Sequence, residues 1–164
     1  MSDMVFLLLC AGLLLSCEKQ PDRTVTVARV AHNDAEIAQI AEDARSTLPV
    51  FFRYVNRTDG ERDHCYIKCP FAADEGSDIN AEQIWLTGIH YKNGSYLGVI
   101  ASTPRYVSGM KKGNTVAFNI DAITDWMYVK GGKIIGGESI KCLVERMPED
   151  QRGETERELL RMFF

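Results

Sequence analysis

Residues that carry recognisable chemistry are scarce in this chain. It has three histidines and two tryptophans in 164 residues. No HExxH, Walker loop, nucleophile elbow or CxxC is present. Basic charge is also short, with 19 Lys and Arg against 23 Asp and Glu. No basic face is implied, which argues against nucleic acid as a partner. Long apolar runs are missing too. The longest, Val5–Leu15, falls well short of the roughly 20 residues that span a bilayer. There is no internal repeat and no low-complexity tract. The length suits one domain, large enough to bury a core without staples.

The short run at the start has the length of a secretory h-region. It ends in Leu14-Leu15-Ser16-Cys17, followed at once by polar Glu18-Lys19-Gln20. This resembles the lipobox of bacterial lipoproteins, in which a small residue precedes the cysteine that receives the lipid. Cys10, behind bulky Leu9, is the poorer match. Met1-Ser2-Asp3-Met4 departs from the pattern, carrying an acid and no Lys or Arg. The resemblance implies a signal peptide over residues 1–16, cleavage before Cys17 and membrane attachment through lipid on that thiol. The protein would then sit in the cell envelope, on the periplasmic face. With Glu18 rather than aspartate after the cysteine, the outer membrane is favoured where there are two. The processed chain would carry 19 basic and 22 acidic residues, because Asp3 is the one charge removed.

Residues 17–32 read as a flexible tether, with a turn at Pro21-Asp22 and an extended piece at Thr24–Val27. Residues 33–164 read as a single α+β domain: an N-terminal helix, an antiparallel sheet of about five short strands, and two C-terminal helices. The first helix is capped by Asn33 or Asp34 and carries Ile37, Ile40, Ala41, Ala44 and Leu48 on one face. Pro49 is expected to end or kink it, with a short second helix through Phe51, Phe52 and Val55. Strands follow at Tyr66–Lys68, Ile84–Tyr91, Ser95–Ala101, Thr115–Ile120, Ile123–Val129 and Lys133–Ile135. Asn93-Gly94 is a hairpin signal. Ser139 is expected to cap a helix bearing Ile140, Leu143, Val144 and Met147, and Pro148 to open the last helix.

Candidate site residues come from several places. Asp125-Trp126-Met127-Tyr128 is the most distinctive tetrapeptide. Asp125, Trp126 and Tyr128 form an aromatic and acidic recognition patch, or else large rings filling a core. Lys68 is an ion-pair partner for Asp125 if their strands adjoin, and Glu82 is a further ligand-binding candidate. Trp85 is expected in the core. Cys65, Cys69 and Cys142 are an odd set. Two cysteines four apart on one strand are about 13 Å distant, so a bridge would join one of them to Cys142; three buried thiols are the alternative. His64, Cys65 and Cys69 with His90 or Cys142 lack the paired spacing of a zinc site, so no metal and no cofactor is expected.

Several segments resemble the YegJ-like bacterial domain of unknown function. They are Tyr66-Ile67-Lys68-Cys69-Pro70-Phe71, Ile84-Trp85-Leu86, Gly113–Phe118, Ile123-Thr124-Asp125-Trp126-Met127-Tyr128 and Gly132-Lys133-Ile134-Ile135-Gly136-Gly137. The resemblance covers roughly residues 33–155. Asn114 stands where an acid is expected, and Cys69 where a small apolar residue is. The resemblance implies a domain span and no reaction.

Three functions follow from these residues. The first is a non-enzymatic, lipid-anchored binding module facing an unknown envelope protein or ligand, immunity-like proteins being one subset. The second is a small envelope hydrolase using Cys65 with His90, or Asp125 with Glu82. The third is a structural envelope lipoprotein.

Overall fold

The computed structural model describes residues 34–56 and 64–164 in full, and the backbone of two strands, Asp3–Leu7 (β1) and Val27–Ala31 (β2). Cys10, Cys17 and most of the tether lie outside the described residues; within the expected tether, 27–31 is strand.

Asp34 starts the first helix, α1 (Ala35–Val55), by accepting the amide of Ile37 on its side chain. Arg146 clips the same carboxylate and that of Glu36, fastening α1 to a later helix. Pro49 neither ends nor kinks α1 into two helices, as its sequence led one to expect. It removes one helical donor. The turns beyond it are retained by burial of Phe51, Tyr54 and Val55.

Six strands form the antiparallel body of the sheet: β3 (Cys65–Ala72), β4 (Ala81–Lys92), β5 (Ser95–Ile100), β6 (Thr115–Phe118), β7 (Asp125–Lys130) and β8 (Lys133–Gly136). Their order is β6-β5-β4-β3-β7-β8. Asn93 and Gly94 both take positive φ and close the β4–β5 hairpin, as the dipeptide requires. β3 tolerates Pro70 because its pairing with β7 has ended by Lys68, leaving that edge free of ladder bonds. Ile120, expected to end a strand, instead opens a 3-10 turn, Ile120–Ala122, with the Asn119 side chain accepting the Asp121 amide; the next strand begins at Asp125 rather than Ile123.

Alternation along the strands gives each face its own cover. Ile67, Ile84, Leu86, Trp126 and Tyr128 pack beneath α1 with Leu48 and Phe51. Trp85 and Met127 pack on the opposite face with Ile140, Leu143 and Val144 of α2 (Glu138–Arg146) and Leu159 of α3 (Glu154–Phe163). Trp126 is locked further, its indole donating to the Ala44 carbonyl at 3.1 Å and to Thr47 Oγ1 at 3.0 Å. Gly136 passes so close that an added Cβ would stand 2.3 Å from the Trp126 carbonyl oxygen. Only glycine fits there, and its φ of 77° suits glycine alone.

Two helix starts differ from expectation. The cap residue of α2 is Gly137, in the left-handed region, and Ser139 lies one residue inside the first turn. Pro148 opens a single 3-10 turn, Glu149–Gln151, and α3 begins only after Gly153.

Candidate functional site

Lys68 on β3 pairs with Trp85 on β4 and with Asp125 on β7. The three therefore form one row across adjacent strands, on the face that α2 covers. The turn at Gly136-Gly137 delivers the α2 N-terminus directly onto this row. The Ser139 amide and hydroxyl both donate to Asp125 Oδ2, at 2.9 and 2.5 Å, and Asp125 Oδ1 accepts the Trp126 amide at 2.8 Å. Lys68 Nζ donates to Ser139 Oγ at 2.5 Å. The hydroxyl thus bridges ammonium and carboxylate. Lys68 Nζ also lies 4.9 Å from the centre of the Trp85 ring, a cation–π contact in a dry setting.

The row is sealed. Lys68 and Trp85 are 0 % exposed, Ser139 1 % and Asp125 2 %. Burial lowers the Lys68 amine to about 8, against the pull of the Asp125 charge. Burial raises the Asp125 carboxyl, while Lys68, Ser139 and the Trp126 amide pull it back. Asp125 also stands where the positive end of the α2 dipole favours an anion. Between about 8 and the ordinary 10.5, Lys68 carries fewer protons folded than unfolded. Stability contributed by this group therefore rises with pH across that window. Thermal melts are expected to show wild type gaining on a Lys68→Met variant from pH 8 to 10; parallel curves would contradict it.

Lys68 and Asp125, expected as an ion pair if their strands adjoin, are brought together by the β3–β7 pairing. The structure does not unite the rest. Trp126 and Tyr128 lie beneath α1, on the face opposite Asp125, with Tyr128 stacked on Tyr54 at 3.8 Å between ring centres. The aromatic and acidic patch is thus divided between two faces, because neighbouring residues on a strand point oppositely. Glu82 is fully buried and accepts the backbone amides of Arg105 and Tyr106 at 2.8–3.0 Å, pinning the β5–β6 loop. By strand alternation it too lies opposite Asp125, so these carboxylates make no acid–base pair.

Cys65, Cys69 and Cys142 are all buried. Cys65 and Cys69 face α1, and Cys142 sits on α2 across the sheet. The sheet itself thus bars either from bridging to Cys142. Burial pushes the Cys69 thiol up to about 12 and raises that of Cys142. His90 is exposed on the hairpin, its Nδ1 2.9 Å from the Gly88 carbonyl oxygen. Among the described residues, no three His, Cys, Asp or Glu side chains gather as a metal site.

Ser139 is the site member that sequence reasoning misplaces. Its position after Gly-Gly signals a helix start, but nothing local reveals a carboxylate from β7. A hydroxyl beside a lysine amine has the parts for nucleophilic activation. Here no substrate atom can approach it.

The segments quoted above converge on this row. Lys68 comes from the first, Trp85 from the second, Asp125 from the fourth, and the glycine turn that sets Ser139 from the last. The family described as an uncharacterized protein conserved in bacteria, DUF2314, matches residues 34–159. The chain belongs to that family. The DUF2314 span runs from the cap of α1 into α3, so it takes in the whole row and both helical layers. The uncharacterized protein YegJ of Escherichia coli K12 is 29 % identical over 136 residues, which is 83 % of this chain and 85 % of that one. A putative ankyrin repeat protein of Neisseria meningitidis serogroup B is 28 % identical over 129 residues, 76 % of this chain. The match spans about half of that second relative, 51 % of its length. No solved structure matches the chain.

Proposed function

We propose that this protein is a lipid-anchored module of the cell envelope that binds a partner and catalyses no reaction. One observation carries the reading. Lys68, Asp125 and Ser139, the side chains best equipped for chemistry, are spent on each other inside the core. Of the hydrolase reading's pairs, Cys65 is buried beneath α1 while His90 is exposed, and Asp125 and Glu82 lie on opposite faces of the sheet. The lipobox-like Leu14-Leu15-Ser16-Cys17 supports the anchor. The second relative supports a modular role, since its name refers to ankyrin repeats, whose stacked surfaces serve binding.

The partner meets the exterior, not the row. An accessible aromatic cluster is offered by Tyr91, 64 % exposed, beside Tyr96 and Phe118 across β4, β5 and β6. A Cys17→Ala variant, fractionated with and without detergent, is expected to leave the membrane fraction. If it stays membrane-bound, the anchor is wrong.

A further inference from the structure

β1 is the odd member of the sheet. It meets β4 in parallel through two register pairs, Val5↔Glu82 and Phe6↔Gln83. It meets β2 antiparallel along its whole length, Asp3–Leu7 against Ala31–Val27. Every other described pairing is antiparallel. β1 also lies wholly within residues 1–16, the segment that cleavage before Cys17 removes. Its loss would bare two backbone edges. One is the edge of β4 opposite β3, ahead of Leu86, where pairing with β5 begins. The other is the inner edge of β2. Buried or half-buried backbone groups need partners, and an open edge is a template for a strand.

We propose that, once the leader is removed, Val27–Ala31 moves inward by one strand position and pairs directly with the start of β4. The inference rests on the cleavage reading above. Direction favours it: β2 is antiparallel to β1, and β1 is parallel to β4, so β2 already runs antiparallel to β4. It needs no reversal, only a shift of about 4.8 Å, one strand spacing. Residues 32 and 33 join Ala31 to Asp34, the cap of α1. Fully extended, that link reaches about 10 Å, against a shift of about 4.8 Å. The result is a uniformly antiparallel sheet whose edge strand leads straight to the lipid. Residues 18–26 alone then separate Cys17 from the sheet. Fully extended, they hold the domain within roughly 30 Å of the bilayer surface.

The test uses the full chain expressed with its leader and extracted from membranes in detergent. Intact mass is read first, because a species retaining residues 1–16 overturns the cleavage reading itself and the exchange with it. On the processed species, amide hydrogen exchange follows. Residues 27–31 are expected to exchange roughly tenfold or more slowly than residues 18–24. An Arg29→Pro variant is expected to abolish that protection and to speed exchange at Ala81–Trp85 as well. Residues 27–31 exchanging as fast as 18–24 in a correctly processed protein would overturn the strand shift. So would protection found only in a dimer by light scattering, which would place a second copy's strand on β4.

Discussion

Replacing Asp125 with alanine is expected to lower the unfolding free energy by about 3–5 kcal/mol. The carboxylate accepts from Ser139 twice and from the Trp126 amide, and its charge balances Lys68. Its removal strands a fully buried ammonium and frees the first turn of α2. Asp125→Asn keeps an acceptor and the volume but loses the charge, so it should fall between wild type and Asp125→Ala. A double variant, Lys68→Met with Asp125→Leu, removes both charges together and is expected to recover much of the loss, since a buried ion pair seldom outdoes apolar packing. Chemical denaturation of the four proteins checks this. Equal stability of Asp125→Ala and wild type would show that the row is not what holds α2 to the sheet.

Truncating Trp85 to alanine should cost about the same, 3–5 kcal/mol, by leaving a large cavity in the second core. For a chain of this size that lowers the melting temperature by about 10 °C or more. The ring is fully buried among Met127, Ile140 and Leu143, and it carries the face beneath Lys68. Trp85 Nε1 has no hydrogen-bond partner among the described residues. Phenylalanine therefore relinquishes no hydrogen bond, and Trp85→Phe is expected to lose much less than Trp85→Ala. A Trp85→Ala melting point equal to wild type would contradict the packing.

How much of this was legible beforehand depends on the range of each signal. The Asp34 cap, the Asn93-Gly94 hairpin, the apolar stripe of α1 and the buried Trp85 follow from local pattern, and all are present. Pro49 misleads because packing of Phe51 and Tyr54 outweighs one missing helical donor. Ser139 misleads because its partner is distant in sequence: the cap group for α2 is a strand carboxylate fourteen residues back. The division of Asp125 from Trp126 was legible in principle, since adjacent strand residues point to opposite faces. The burial of both faces was not, because it depends on α1 and α2 covering opposite sides. The charged row itself required the β3–β7 pairing, a long-range contact that no short motif encodes.

The central claim is that the chemistry-bearing side chains of this fold are structural and that its work is done at its surface. Reactivity tests that most directly. The folded protein, treated with a fluorophosphonate for serine and with iodoacetamide for thiols, is mapped by peptide mass spectrometry. The account predicts that Ser139, Cys65, Cys69 and Cys142 remain unlabelled until the protein is unfolded. Labelling of Ser139 in the native state, lost when Lys68 is replaced by methionine, would contradict it and make the buried row a catalytic one.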